Sequence, residues 1–176
     1  MGLPWKREIF LAGIEKKKQV AEVLKTVNGK DELISKLKQQ VQSNPDSAKG
    51  WYLLGRLYAS QDLWTEANES FEKAYKLKPD DIAIIINVAQ SKLQLNQQKF
   101  NPEIRSLFEK ALQLNNQQPD ALAMLAMDAF IDKNYDKAIL MWQQLLQLMP
   151  PGSEDAKAVR KAIARAQEQL KQNLKS

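Results

Sequence analysis

Apolar residues recur along the chain at spacings of three and four, the period of amphipathic helices. Leu33, Leu37 and Val41 predict a helix over 31–43 that ends at Asn44-Pro45. Trp51, Leu54, Gly55 and Tyr58 stand at i, i+3, i+4 and i+7 on a second helix. Ala67, Phe71 and Ala74 form the stripe of a third, which Pro79 terminates because it cannot continue a helix. The same spacing returns in Ile85, Val88 and Ala89, then in Ile104, Phe108 and Ala111. It returns again in Leu122, Leu125, Ala126 and Ala129, and in Ala138, Trp142 and Leu145. After Pro150-Pro151-Gly152, Ser153 is a good N-cap, Glu154 and Asp155 fill a first turn, and Val159, Ile163, Ala166 and Leu170 make one stripe on a charged helix. At the other end, Pro4 to Val27 predicts a helix closed by Asn28-Gly29. Its front, with Trp5, Ile9, Phe10, Leu11 and Ile14, is apolar over too wide an arc for a free helix.

Aligning the chain with itself turns these helices into pairs. From Ala48 onward, Trp51, Leu54, Gly55, Tyr58, Ala67, Phe71, Ala74 and Pro79 fill every diagnostic position of the 34-residue tetratricopeptide (TPR) pattern. Gly55 removes a side chain where the paired helices must approach closely, and Trp64 packs just after the turn at Asp62. A second unit, 82–118, matches only if three extra residues fall in Leu95–Pro102, a long polar loop. Lys92 stands there where the pattern has an aromatic, its weakest position. A third unit runs 119–152, with Tyr135 as the counterpart of Trp64. The expected fold is all-α: a right-handed TPR superhelix of three units (48–81, 82–118, 119–152) within 45–152. Two helices precede it in 1–44, and 153–176 supplies a C-terminal capping helix.

Composition narrows the chemistry. There is no His and no Cys among 176 residues. That excludes catalytic triads, imidazole or thiolate metal sites, covalent haem attachment and disulfides. No glycine-rich phosphate loop is present, and Asp128 and Asp132, four apart, read as solvated helix charges rather than a carboxylate pair. The chain therefore reads as non-enzymatic and without cofactor. The apolar run Ile9 to Ile14 is only six residues long, against roughly 20 needed to span a bilayer. The formal charge of +5 sits on the flanks: residues 45–152 carry eleven basic and thirteen acidic groups. A nucleic-acid-binding repeat would carry its positive field on its binding surface, so that reading is disfavoured. Lys16-Lys17-Lys18 reads as a solvated helix face.

Finer detail resembles one family. The stretches Asp31–Ile34 and Ser43–Arg56, the lengthened second repeat, the runs Ala121–Phe130 and Asn134–Ile139 with Trp142-Gln143, and Leu148–Ala156 resemble the TPR domain of c-type cytochrome biogenesis proteins, the NrfG/CcmH/CycH group of haem-lyase assembly factors. The likeness covers about residues 31–168. It implies a periplasmic domain tied to the inner membrane of a Gram-negative bacterium through a segment that this chain does not contain. It also implies non-catalytic binding of an apocytochrome c C-terminal peptide, and its presentation to components of the haem lyase complex. The alternative is a general TPR adaptor or co-chaperone for another peptide.

The first helix of each unit lines the concave face of a TPR array, and the positions off its packing stripe face the ligand. These are Tyr52 and Arg56 in the first unit, Ile86, Asn87, Gln90 and Leu93 in the second, and Ala123, Met124, Met127 and Phe130 in the third. A two-cation, two-Asn carboxylate clamp is not reproduced: only Asn87 fits it, although Arg56 can hold a carboxylate alone. The third-unit end is apolar and Met-rich, which suits an amphipathic helix more than a charged tail. Ile86, Leu93 and Phe130 have an equal claim to be inter-repeat core.

Overall fold

The structure, a computed structural model, describes residues 29–176 together with Lys18, which is helical and exposed. The helix expected over 4–27 and its apolar front otherwise lie outside the described residues. Within the described residues 29–176, eight α-helices follow one another: α1 (Lys30–Ser43), α2 (Ala48–Ala59), α3 (Trp64–Leu77), α4 (Ile82–Leu95), α5 (Pro102–Leu114), α6 (Pro119–Ile131), α7 (Tyr135–Gln147) and α8 (Glu154–Lys175). Among the described residues there is no strand. Each helix packs on the helices before and after it in sequence, the arrangement of a TPR solenoid.

Local chemistry sets the boundaries. Ser47 Oγ accepts from Gly50 N at 3.0 Å, Asn101 Oδ1 from Ile104 N at 2.8 Å, Gln118 Oε1 from Ala121 N at 3.0 Å and Ser153 Oγ from Ala156 N at 3.1 Å. Each side chain satisfies one backbone donor that a helix start leaves free. The three turns inside the helix pairs close alike, with Leu63 N donating to Tyr58 O, Gln98 N to Leu93 O and Asn134 N to Ala129 O at 2.8–3.0 Å. The residue before each donor, Asp62, Gln97 or Lys133, adopts a left-handed φ of 55–61°. That equivalence locates the three extra residues of the second unit at Lys99–Asn101, after the shared turn and before α5. The insertion is anchored: Asn96 Nδ2 donates to Lys99 O at 2.6 Å, and the Phe100 and Phe108 rings lie with centroids 6.3 Å apart.

The core is three linked clusters, and two helices serve two clusters each. Ile84 and Val88 of α4 join Leu54, Phe71 and the α1 residues Ile34, Leu37 and Val41 in the first. Ile85, Ile86, Ala89 and Leu93, also of α4, form the second with Ile104, Phe108 and Leu125. Likewise α6 gives Ala121 and Leu125 to the second cluster and Leu122, Ala126 and Ala129 to the third. This is why α4 and α6 are apolar over most of their circumference: they are buried on two sides. In the third cluster α8 contributes Ile163 and Ala166, with Val159 and Leu170 packed against them, covering the last pair as a cap should. The close approach expected at Gly55 is present, because a Cβ there would meet the Phe71 ring at 2.6 Å.

Two polar residues behave differently from expectation. Asp128 is not a solvated helix charge: it is 5% exposed. Arg105 of α5 holds it bidentately, Nε on Oδ2 and Nη2 on Oδ1 at 2.9 Å, and Nη2 also reaches Asp132 Oδ2 at 3.3 Å. Lys92 replaces the usual aromatic because its ammonium sits between Glu72 Oε1 at 2.7 Å and Glu103 Oε1 at 3.0 Å, tying α3, α4 and α5 together.

Candidate peptide-binding groove

The helix-A face of the array is carried by α2, α4 and α6. At the α2 end, Tyr52 leans on Phe71 with ring centroids 6.1 Å apart, and the Arg56 guanidinium lies 5.9 Å from the Tyr52 ring centre. Arg56 has no carboxylate partner among the described residues, so its charge is available to a ligand. Across the helix interface, Asn87 Nδ2 donates to Ala83 O at 2.8 Å and stands 3.5 Å from the Tyr52 hydroxyl. Tyr52, Arg56 and Asn87 are thus brought into one polar patch, with half-buried Gln90 one turn along α4 from Ile86 and Asn87.

Ile86 and Leu93, expected on this face, are 4% and 5% exposed and belong to the second core cluster. They offer a ligand no surface of their own, for the reason already given: α4 is covered on two sides. Ala123 and Met124 are half-buried, and Met124 packs against that same cluster. Met127 is 46% exposed and Ile131, one turn further, 60% exposed. Together they form an uncovered apolar strip along α6. Phe130 faces the next pair instead, edge-on to Tyr135 at 5.3 Å and tilted against Trp142 at 5.8 Å. The helix-A face therefore runs from a polar, cationic end to an apolar, Met-containing end.

The electrostatics beneath the face are structural. Burial works against the Lys92 ammonium, but its hydrogen bonds and charge contacts with Glu72 and Glu103 outweigh that and raise its pKa above 10.5. The bidentate contact with Asp128 likewise raises that of Arg105, against the opposing cost of burial. Among the described residues no three His, Cys, Asp or Glu side chains are grouped to hold a metal ion. Nor is any described helix long and apolar enough to cross a membrane.

Residues 18–156 match the model of the cytochrome c-type biogenesis protein H TPR domain. The chain belongs to this family. It is 31% identical over 140 residues to the cytochrome c-type biogenesis protein CycH of Pseudomonas aeruginosa, covering 80% of this chain and 34% of CycH. It is 29% identical over 115 residues to NrfG, a subunit of the formate-dependent nitrite reductase complex of Escherichia coli O157:H7, covering 65% of this chain and 58% of NrfG. The chain thus spans about a third of the length of CycH and just over half of that of NrfG. Among solved structures, MamA shares the fold with a TM-score of 0.63 at 18% identity, over 87% of this chain and 95% of MamA. Within the family domain, sequence reasoning missed the Arg105–Asp128–Asp132 network. The available signal was an Asp inside the apolar run from Leu122 to Ile131, since a carboxylate there is buried and needs a cation.

Proposed function

We propose that this domain is a non-enzymatic holder of polypeptide in c-type cytochrome biogenesis. It lays an amphipathic C-terminal segment of the apocytochrome along the helix-A face and presents it to the haem lyase complex. The setting is the periplasm, at the inner membrane. The observation that carries the reading is the gradient on that face. Arg56, Asn87 and Gln90 offer polar contacts at one end, and exposed Met127 and Ile131 offer an apolar strip at the other. Such a gradient matches a helix with an apolar face better than a uniformly charged tail. Met adapts its shape to varied side chains, which suits a face that receives the apolar side of a helix. Membership of the cytochrome c-type biogenesis family supports the choice of a cytochrome as ligand. With no Cys in these 176 residues, the domain holds its ligand without disulfide exchange, and thiol chemistry falls outside it.

Calorimetric titration with C-terminal helix peptides of c-type apocytochromes tests this. Binding at a Kd of about 1 μM or tighter is expected, or about −8 kcal/mol. Asn87→Ala and Met127→Asp each weaken it. Equal binding of a scrambled peptide, or no binding, overturns the reading. Binding to single-stranded RNA that collapses with added salt would replace it with nucleic-acid recognition.

A further inference from the structure

Helix α1 is the counterpart of α3, residue for residue. Lys30–Ser43 and Trp64–Leu77 are both 14 residues long and stand 34 positions apart. They end alike: Asn44 and Lys78 have φ of −134° and −136° with ψ of 78°, and their N–H groups donate to Gln40 O and Ala74 O at 2.9 Å. The helices that follow also start alike, with Ser47 Oγ accepting from Gly50 N and Asp81 Oδ1 from Ile84 N. So α1 is built as the second helix of a pair. Carried back by the same step, the repeat puts Val20, Ala21 and Leu24 at the places of Leu54, Gly55 and Tyr58. Val20, Val23, Leu24 and Val27 make one stripe at i, i+3, i+4 and i+7, with Glu15, Lys18, Glu22 and Thr26 on the opposite side. Asn28 is the counterpart of Asp62, whose φ is 59°, and Asn tolerates that left-handed turn position.

The faces that such a helix would cover are open. At the repeat position of Leu33, the three complete pairs have Ala67, Ile104 and Ala138, each at most 1% exposed, whereas Leu33 is only half-buried. On α2, Leu53 is 37% exposed at the position of Asn87, the residue that α4 turns toward Tyr52 of the preceding first helix. The two departures from the pattern are matched. Lys17 replaces Trp51 and exposed Gln40 replaces Ala74. Lys73, the neighbour of Ala74, sets its ammonium 4.2 Å from the Trp51 ring centre, so both departures fall at one end of the pair, polar beside polar. Bulk is matched too. A Cβ at Gly55 would meet the Phe71 ring at 2.6 Å, and the corresponding places hold Ala21 and Leu37, a larger residue opposite a smaller one. The chain also enters at the right place. Lys30 Nζ donates to Ser60 O and Gln61 Nε2 to Asp31 Oδ1, both at 3.4 Å, which sets the start of α1 beside the turn that ends α2.

We propose that residues 17–27 form a first helix seated on Leu33 and Leu37 of α1 and alongside Leu53 of α2, completing a fourth helix pair ahead of the three. The occupant is the chain's own segment, because only Asn28-Gly29 separates it from α1 and a short tether gives it a high effective concentration there. Its charged outer side closes the front of the array as α8 closes the back. Trp5 to Leu11 lie ahead of the repeat and take no part in this contact. The inference stands apart from the ligand reading.

Hydrogen exchange and urea unfolding of the full chain test it. A helix of this length is marginal alone in water, so exchange at Val20, Ala21 and Leu24 slowed on the order of tenfold or more against an unstructured chain requires docking. Leu24→Asp should abolish that protection and lower the unfolding midpoint, while Ile9→Asp should change neither. Ala21→Leu should lower the midpoint by overpacking against Leu37, and Leu37→Ala by leaving a cavity. Combined, the two should lower it by less than the sum of their separate effects. Unprotected amides, additive losses in the double variant, or an Ile9→Asp effect as large as that of Leu24→Asp overturns the proposal. So does protection that vanishes on dilution, which would mean that the segment docks on a second copy.

Discussion

The contact between Arg105 and Asp128 joins the second helix pair to the third, and removing its cation should be expensive. In Arg105→Met the aliphatic stem can still pack, but Asp128, 5% exposed, loses the donors that satisfied both its oxygens. Leaving one half of a buried pair unpaired costs about 3–5 kcal/mol. The Arg105 side chain is 32% exposed, so water can reach the vacated space and brings the cost below that range, to about 2–3 kcal/mol. The contact with the exposed Asp132 adds little. With a urea dependence of about 2 kcal/mol/M, the unfolding midpoint should fall by roughly 1–1.5 M. Adding Asp128→Leu should recover most of the loss, because it is the stranded carboxylate rather than the missing attraction that destabilises. A midpoint shift below about 0.3 M in Arg105→Met, or no recovery in the double variant, would refute this account of the α5–α6 joint.

Three further outcomes follow from the packing. Gly55→Ala gains about 1 kcal/mol of helix propensity but drives a methyl into the fully buried Phe71 ring, an overpacking cost of about 1–3 kcal/mol. Thermal melts should show net destabilisation, reversing to stabilisation when Gly55→Ala is compared in a Phe71→Leu background. Lys92 has a folded-state pKa raised above 10.5, so its contribution is fully present below 10.5 and is lost as pH climbs through the folded value. The stability gap between wild type and Lys92→Met should therefore be constant near neutrality and narrow only above pH 10.5, and a gap that closes near neutrality contradicts the ion-pair assignment. Ser153→Ala removes the side-chain acceptor of Ala156 N and should cost about 1 kcal/mol, with hydrogen exchange faster in the first turn of α8 than elsewhere.

The repeat units were readable because their signal is local. Trp51, Gly55, Phe71 and Pro79 each do a job fixed by helix geometry, so their spacing alone implies the fold. The capping helix was readable from Ser153 and the Val159–Leu170 stripe for the same reason. What escaped was pairing at long range. Arg105 and Asp128 are 23 positions apart on different helices, and nothing in either neighbourhood names the other. Lys92 departs from the aromatic pattern, and its partners Glu72 and Glu103 lie on two other helices, where the local sequence does not name them. On the groove face, periodicity places a residue on a side of its helix but does not say whether another helix covers that side. Hence Ile86 and Leu93 went inward with the core, while Met127 and Ile131 stayed exposed.

A polypeptide received on the helix-A face lies within reach of α6 and not of the outer side of α7. Photo-crosslinking tests this most directly, with a benzophenone side chain placed at Met127 on α6 in one sample and at exposed Leu140 on α7 in another. Each is mixed with an apocytochrome C-terminal helix peptide and irradiated. Crosslinked peptide is expected from position 127, suppressed by excess unlabelled peptide, with background only from position 140. Crosslinking from 140 with none from 127 would contradict binding on the helix-A face.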